Sequence, residues 1–384
     1  MKVLLVTTSY PLRDGEISGI FVKKLVDQLK KYADITVVTP SDDLVGGDRG
    51  IGDRGIKLAR YAPKKMQCLA HRPGGIPVAL KNNPLSWLLL PGLLLSMFYQ
   101  CVLNSRNKDV IIANWAVNGV LAGVVAKLFK IPLITILRGS DVNNTRQKIN
   151  RGVVLSLSVR LSKRVVCVSE SFYHSMLVTY PESQDKFIMI PNGVDQKYLD
   201  IKSAGVKGPL KFTTIGNLSH NKGVHITLQA CSIFSENKIP FELNIIGNGP
   251  DKARLIALAE SLNIYERVNF LGAVPNNKII EHLKETNIFV FSSFSEGRAN
   301  VLLEAMASGL PILASDIDAN RELITHDKNG YLFKVGEPKD FAEKLSVLVK
   351  SPLLRARLSC GARDFILENG LNWATAGDKY YKLL

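Results

Sequence analysis

Short runs of apolar, often β-branched residues alternate with stretches of helical periodicity along the whole chain. The apolar runs are nearly continuous, which is typical of strands that are covered on both faces. A repeated order of strand, helix and strand predicts an α/β architecture with parallel sheets. The predicted strands are Val3–Thr7, Ile35–Thr39, Val110–Ala113, Leu133–Leu137 and Arg164–Val168 in the first half, and Leu210–Ile215, Phe241–Ile246, Val268–Leu271, Ile288–Ser292 and Pro311–Ala314 in the second.

Helical patterns fill the intervals between these strands, and one interval breaks the alternation. Representative helical patterns cover 22–31, 224–235, 252–262 and 278–284. The alternation pauses at Gln196–Pro209, a polar stretch without periodicity that follows the turn-like sequence PNGVD. We therefore predict one domain over residues 1–200 and a second from residue 207 onward. Because open parallel sheets bind ligands beyond the carboxyl ends of their strands, the expected site is a cleft shared by the two sheets.

Two apolar stretches resemble targeting or membrane segments. The amino-terminal MKVLLVTTSYP has an apolar run of only about five residues, shorter than a signal core, and predicts a buried first strand. The stretch Leu85–Leu103 lacks charge over 19 positions, near the length of a spanning helix. Pro91-Gly92 interrupts it and basic residues flank it, so a buried or membrane-facing helix pair is favoured over a span.

Composition is that of an ordinary folded protein. The chain has 384 residues, of which 46% are hydrophobic and 22% charged, so disorder is not expected. Its five cysteines are scattered singly, with no Cys-x-x-Cys and no Cys/His cluster. The sequence therefore predicts neither a disulfide framework nor a metal site, and it fits a reducing compartment.

The positive charge is concentrated in the first half of the chain. The net charge is +15, and residues 1–200 hold 27 Lys/Arg against 15 Asp/Glu, whereas residues 201–384 hold 22 against 19. A basic half favours an anionic membrane surface, a nucleic acid or a charged substrate, although it also serves solubility. Because aromatic residues are not interleaved with the basic ones, we expect no nucleic-acid partner.

The strongest candidate site lies in Ile288–Ile317. A buried strand is followed by a loop with Glu296 and then by a helix that begins near Asn300 and ends at Gly309. The first amides of that helix, at Asn300 and Val301, can bind phosphate. Glu304 lies one turn inside the helix among apolar neighbours, where a carboxylate is costly unless it is paired or used. A site with amides that bind phosphate and two carboxylates that bind hydroxyls suits a sugar nucleotide. The alternative is that Glu296 is only a charge near the helix N-terminus and that Glu304 is a buried glutamate with a structural partner.

Other strand ends carry weaker signals. FTTIGNLSHNKG (212–223) has Gly216 and Asn217 after a strand and Lys222 at the start of a helix, where the lysine could meet an anion. It lacks phosphate-loop spacing, so an ATPase is not indicated. Gly247 follows another strand in LNIIGNGP, where a plain turn is an equal alternative.

In the first half, two further strand-end loops are candidates. Gly19 precedes a helix and could present amides to phosphate, and RGSDV adds Arg138 and Asp141 after a strand. Ordinary surface loops would have the same composition.

Together these motifs resemble the retaining GT-B glycosyltransferases of family four. Glu296, seven residues and Glu304 lie within EGRANVLLEAMASGLP, and further segments follow in the family's order: SGIFV, RGSDV, VSES, PNGVD, IGNLSHNKG, IIGNGP, FLGAVPNNKI and DANRELITHDKNGYLF. The resemblance extends over essentially the whole chain. It implies two Rossmann-like doubly wound domains, with the acceptor side in residues 1–200, the nucleotide-sugar side in 207–366 and a final helix within 367–384 that crosses back to the first domain.

The resemblance also implies a reaction and its residues. The reaction is transfer of a hexose or related sugar from a UDP-, GDP- or ADP-sugar to a glycan or lipid-linked acceptor, with the anomeric configuration kept and without a cofactor or metal. Glu304 would hold the ribose, Glu296 the donor sugar and Lys222 the diphosphate. The implied sets are catalytic Lys222 and Glu296, donor-binding Gly19, Gly216, Asn217, Lys222, Gly247, Glu296, Arg298, Asn300, Val301 and Glu304, and acceptor-side Arg138 and Asp141.

Two positions depart from the family pattern. Asn217 stands where the family usually has Arg, so Lys222 acts alone or is assisted by Arg298. Arg138 stands where the family often has His, near the transferred sugar. The implied setting is cytoplasmic, in bacterial surface-glycan synthesis, with possible peripheral contact at the inner face of the membrane. A nucleotide-sugar epimerase, a phosphorylase and a non-catalytic polyanion binder are the alternatives.

Overall fold

The chain forms two compact units, each built on one parallel sheet. The computed structural model describes residues 1–13, 16, 18–42, 55–71, 75–138, 149–201 and 208–384. The first unit comprises Met1–Asn192 together with Trp373–Leu384, and the second comprises Gly193–Asn372.

Seven parallel strands form the sheet of the first unit. They are β1 (Lys2–Val6), β2 (Asp34–Pro40), β3 (Ile56–Ala59), β4 (Val110–Asn114), β5 (Leu133–Leu137), β6 (Arg164–Cys167) and β7 (Phe187–Met189). Their order across the sheet is β3-β2-β1-β4-β5-β6-β7. Alternate residues of β1 enter different cores, with Val3 and Leu5 on one face and Leu4 and Val6 on the other. Because both faces are covered, the strand reads as one continuous apolar run.

Helices cover both faces of this sheet. They are α1 (Ile20–Leu29), α2 (Gly75–Asn82), α3 (Leu90–Ser105), α4 (Ala116–Phe129), α5 (Ile149–Leu161), α6 (Glu170–Thr179) and, from the end of the chain, α15 (Trp373–Tyr381). Trp373 and Tyr380 of α15 are buried in the same core as α1. The last helix therefore belongs to the first unit.

The second unit has a six-stranded parallel sheet of order β10-β9-β8-β11-β12-β13. Its strands are β8 (Leu210–Ile215), β9 (Phe241–Ile246), β10 (Val268–Gly272), β11 (Ile288–Phe291), β12 (Ile312–Ser315) and β13 (Tyr331–Phe333). Its helices are α7 (Gln196–Leu199), α8 (Val224–Ser235), α9 (Lys252–Ser261), α10 (Asn276–Glu285), α11 (Asn300–Ala307), α12 (Asp318–Arg321), α13 (Pro338–Lys350) and α14 (Pro352–Glu368). Residues of β11 also alternate between two cores. The predicted α/β class with doubly wound parallel sheets is confirmed.

Two sequence expectations differ from the structure locally. The stretch that looked like an aperiodic linker begins with α7, whose Tyr198 and Leu199 are buried, and Ile201 after it is buried as well. Those three apolar positions anchor the stretch in a core of the second unit. Its residues 202–207 lie outside the described residues.

The apolar stretch Leu85–Leu103 forms a 3₁₀ segment and one α-helix rather than a pair of separate helices. Pro84–Leu89 is the 3₁₀ segment, which continues directly into α3, and Pro91 lies in the first turn of α3, where a missing N–H costs no hydrogen bond. Pro84–Ser105 is long and apolar enough to cross a membrane, and 22% of its apolar 18-residue window is buried. One face of α3 is buried and the other is exposed, and contact of the exposed face with a membrane stays a prediction.

Candidate functional site

The candidate site of the second unit lies at the point where the sheet changes its winding direction. From β8 the chain proceeds to β9 on one side, and from β11 it proceeds to β12 on the other, so β8 and β11 flank the switch point. Open parallel sheets bind ligands there, beyond the carboxyl ends of the strands. The loop after β8 carries Lys222, and the loop after β11 carries Glu296.

Lys222 and Glu296 meet across these two loops. Lys222 Nζ lies 2.5 Å from Glu296 Oε1. The side chains are 27% and 10% exposed, so solvent and ligands can reach the lysine. The pair therefore places one cation and one carboxylate at the switch point.

Hydrogen bonds between the loops hold this pair in position. Phe294 N donates to Asn221 O at 2.9 Å, and Asn221 Nδ2 donates to Ser295 O at 2.9 Å. Gly223 has φ +62°, and a Cβ there would collide with the carbonyl oxygen of Ser292. Only glycine lets the chain turn from Lys222 into α8 this close to β11.

The glycine-rich turns join the same cluster. A Cβ on Gly247, at φ +141°, would collide with the carbonyl oxygen of Gly216. Gly216 in turn faces the aliphatic stem of Lys222 at 3.9 Å from an ideal Cβ position. Asn217 Oδ1 is buried and has no hydrogen-bond partner among the described residues. Gly216, Asn217, Lys222, Gly247 and Glu296 thus lie together.

Helix α11 presents an uncapped N-terminus after the Glu296 loop. Within the part of the chain that the structure describes, no side chain caps the helix at Ala299, and the first intrahelical bonds to that residue come from the amides of Leu302 and Leu303. The amides of Asn300 and Val301 precede those bonds. An N-terminus of this kind favours anions through its amides and its dipole.

Glu304 on α11 is buried next to a tyrosine that the motifs do not contain. The carboxylate residue is 8% exposed, and the fully buried Tyr198 lies close enough to it for the two side chains to interact electrostatically. Burial and the neighbouring Glu304 carboxylate raise the pKa of Tyr198, so its hydroxyl stays protonated. The sequence signal for Tyr198 was its position, three residues after PNGVD, in a stretch read as a linker.

Arg298 has a carboxylate partner of its own. Its guanidinium lies 3.6 Å from Glu322 Oε2, and both side chains are at most 10% exposed. Assistance of Lys222 by Arg298 stays a prediction.

In the first unit, the predicted Arg138 is held by amide side chains. Nε and Nη2 donate to Asn114 Oδ1 at 3.2 and 2.8 Å, and Nη1 donates to Asn192 Oδ1 at 2.7 Å. The guanidinium also lies 4.6 Å from the centre of the Phe21 ring. Asn114 ends β4, which together with β1 flanks the switch point of this sheet.

Two further features mark this edge of the first sheet. Gly19 has φ +72° and precedes α1 directly after the β1 loop. Trp115 has φ +68°, a conformation that costs a tryptophan about 1–3 kcal/mol and that clusters at functional sites. No sequence pattern predicts it. Asp141 lies outside the described residues.

The described residues include no group of three or more His, Cys, Asp or Glu side chains that could hold a metal ion.

Two family models match the chain in succession. Residues 19–198 match the model described as Glycosyltransferase Family 4, and residues 196–365 match the model described as Glycosyl transferases group 1. The two matches together cover most of the chain.

Curated relatives share about a quarter of their residues with it. An N-acetyl-alpha-D-glucosaminyl L-malate synthase of Bacillus anthracis is 26% identical over 70% of this chain and 72% of its own. An Escherichia coli UDP-Gal:alpha-D-GlcNAc-diphosphoundecaprenol alpha-1,3-galactosyltransferase is 26% identical over 72% of this chain and 75% of its own length. The amylovoran biosynthesis glycosyltransferase AmsK of Erwinia amylovora is 24% identical over 67% of this chain and 63% of its own length, just under two thirds.

Solved structures share the fold. The Anabaena protein HepE, solved with UDP and glucose, superposes with a TM-score of 0.77 at 18% sequence identity. The match covers 100% of this chain and 99% of the HepE chain. The lipopolysaccharide outer core galactosyltransferase WaaB, in its apo form, superposes at 0.70 with 16% identity and full coverage of both chains.

Proposed function

The chain belongs to the group 1 glycosyltransferases with a GT-B fold, and on that premise we propose that it transfers a sugar from a UDP-sugar to a lipid-linked glycan, with retention of the anomeric configuration. The observation that carries the proposal is the contact between Lys222 and Glu296 at the switch point of the second sheet. The fold alone would host many chemistries, whereas this pair limits what can bind.

The leaving diphosphate needs positive charge where its own charge grows. As the glycosidic C–O bond breaks, fixed donors at the departing oxygens stabilise the transition state. Lys222 Nζ and the amides of Asn300 and Val301 supply such donors. When the diphosphate of the donor binds to Lys222, the ion pair with Glu296 is broken. Glu296 can then accept hydrogen bonds from the hydroxyls of the donor sugar.

Glu304 supplies the acceptor for the ribose hydroxyls. Its carboxylate is buried beside the Tyr198 side chain, which restricts its orientation before the nucleotide binds. A preoriented carboxylate loses little conformational freedom on binding and so favours affinity. The roles of Gly19, Gly216, Asn217, Gly247, Arg298, Arg138 and Asp141 remain predictions of the family resemblance.

Donor and acceptor classes are proposed from the relatives. HepE was solved with UDP and glucose, and one relative is named for a UDP-linked donor and a diphosphoundecaprenol acceptor. The excess of Lys/Arg in residues 1–200 supports a site of action at the cytoplasmic face of an anionic membrane.

A donor screen followed by product analysis tests this proposal. The purified chain is heated with UDP-, GDP- and ADP-sugars, and the UDP-sugar is expected to raise the melting temperature most by mass action. The nucleotide sugar that binds is then incubated with the chain and with lipid-linked acceptors, and the anomeric coupling constant of the product is measured by NMR. Activity is expected to persist in EDTA. An epimerised free sugar, an inverted product or a magnesium requirement would each contradict the corresponding part of the proposal.

A further inference from the structure

Helix α3 has two opposite apolar stripes, and only one of them is covered. The covered stripe packs on the sheet and consists of Leu93, Met97, Cys101 and Ser105. On the other side Leu95, Tyr99 and Leu103 recur at the same four-residue spacing, and Leu95 is 69% exposed. Side chains four residues apart share one helix face, so these three form a continuous outer stripe. A helix that is apolar all round normally has both faces buried.

The 3₁₀ segment that leads into α3 extends this stripe. It adds three exposed side chains: Leu85, Trp87 and Leu88, the last being 78% exposed. These six residues are here termed the outer patch. A contiguous exposed apolar patch marks an interaction surface, and Trp and Tyr within it are typical of the boundary between lipid headgroups and acyl chains.

Basic residues flank the outer patch along the sequence, where acidic residues are scarce. Residues 54–169 contain 18 Lys/Arg and two Asp/Glu, and residues 54–108 contain no Asp/Glu at all. Lys64 and Lys65 precede the patch, Lys81 borders it and Arg106 follows it, and all four are exposed. Residues 54–169 thus carry a net charge of 18 − 2 = +16, which accounts for the +15 of the whole chain.

Direct contacts tie the basic segment to the helix. Ser96 Oγ donates to Arg60 O at 2.8 Å, and an ideal Cβ on Gly92 would lie 2.8 Å from Tyr61 O. The segment that leads to Lys64 and Lys65 therefore lies against the first half of α3.

We infer that the outer patch docks on an anionic lipid bilayer, with its apolar side chains at the headgroup boundary and Lys64, Lys65, Lys81 and Arg106 on anionic headgroups. Buried apolar area and cationic attraction act together in such interfacial helices. The inference rests on the proposed function for its purpose, access to a lipid-linked acceptor. The docking itself requires no transfer reaction.

Two other occupants fit the observations less well. A span through the bilayer would pull Leu93, Met97 and Cys101 out of the core that they share with the sheet. A second copy of the chain would bring the same cations together without acidic residues of this segment to pair with them. A lipid surface uses both the apolar stripe and the charge.

Vesicle flotation of the full chain tests the inference. Vesicles of phosphatidylcholine alone are compared with vesicles that contain about one-third phosphatidylglycerol, at low and high salt. We expect binding to the anionic vesicles, weakened by salt. The double variant Leu88→Gln/Leu95→Gln should lower the partition coefficient about tenfold or more. The double variant Lys64→Gln/Lys65→Gln should lower it about fivefold per lysine and flatten the salt dependence.

The matched control is Leu353→Gln on α14, because Leu353 is 85% exposed but lies in the second unit. It should float like the wild-type chain, and circular dichroism checks that every variant is folded. Absence of flotation, or flotation unchanged by the Leu88→Gln/Leu95→Gln variant, overturns the inference. So does resistance of the bound chain to alkaline extraction, which indicates a span, or a wild-type dimer that this variant dissociates.

Thermal shift with UDP-sugars separates this inference from the proposed function. If nucleotide-sugar binding persists while flotation fails, the docking surface is wrong and the donor proposal stands. If flotation follows the expected variants while no nucleotide sugar binds, the donor proposal fails alone.

Discussion

The two sheets hold their predicted site cations in different ways. In the second unit Lys222 contacts the carboxylate of Glu296 at 2.5 Å. In the first unit Arg138 donates to the amide oxygens of Asn114 and Asn192 and lies over the ring of Phe21. A stronger anion can displace the carboxylate from the lysine, whereas the amide oxygens orient the arginine. We therefore expect Lys222 to exchange partners during the reaction and Arg138 to shape the site.

The largest effect is expected from removal of the exchangeable cation. Lys222→Ala should lower kcat by about 10²–10³-fold, because the departing diphosphate loses a fixed donor. Turnover is measured by nucleotide release. Lys211→Ala is the matched control, since Lys211 also pairs with a glutamate, Glu285, at 2.8 Å but stands at the start of β8. Near-normal turnover of Lys222→Ala would remove the assigned role.

The second test concerns the fixed cation. Arg138→Gln should lower the free energy of unfolding by about 1–3 kcal/mol, because the buried Asn114 and Asn192 lose hydrogen bonds to the guanidinium. Urea unfolding measures this loss. The control is Arg164→Gln, at a half-buried arginine that donates to Asp185 O at the start of β6. Unchanged stability with a loss of turnover as large as that of Lys222→Ala would show that both cations act alike.

A smaller effect should follow from loosening the buried carboxylate. Tyr198→Phe removes the buried hydroxyl that lies beside Glu304 and should raise the donor KM about fivefold with little change in kcat. Steady-state kinetics give the two constants separately. Tyr380→Phe, at a buried tyrosine of the first unit, serves as the control. A fall in kcat at constant KM would place Tyr198 in the chemical step instead.

The smallest expected effect is a change in the pH dependence of stability, and it arises in the aromatic cluster near Lys222. His220, His225 and Phe294 stack beside the Lys222 loop, whereas Phe21 and Trp115 lie beside Arg138. Burial, with the neighbouring charges of His220 and Arg254, lowers the pKa of His225.

The sign of the resulting pH effect follows from proton binding. The folded chain binds fewer protons at His225 than the unfolded chain does. The contribution of His225 to the free energy of unfolding is therefore fully present above the ordinary histidine pKa. It is lost as the pH falls through about 6.5 toward the lowered value. Urea unfolding from pH 7.5 to 5.5 should show a slope that His225→Gln reduces, and an unchanged slope would contradict the prediction.

The sequence predicted the central strands better than the edge strands. β1 and β11 are buried on both faces and appear as continuous apolar runs. The three strands that it missed, β3, β7 and β13, have three or four residues each and lie at sheet edges. A short edge strand pairs on one side only, so it needs no long apolar run and leaves no pattern.

By itself, the sequence determined the α/β class, the strand ends that carry polar loops and, through its motifs, the family. Only the tertiary structure decided which loops meet. Lys222 and Glu296 are 74 positions apart, and they touch because β8 and β11 are neighbours in the sheet. The apolar run Leu85–Leu103 likewise did not reveal which of its faces is covered. Apolar periodicity records how deeply each residue is buried, but strand order and helix partners depend on contacts between distant segments that no local pattern encodes.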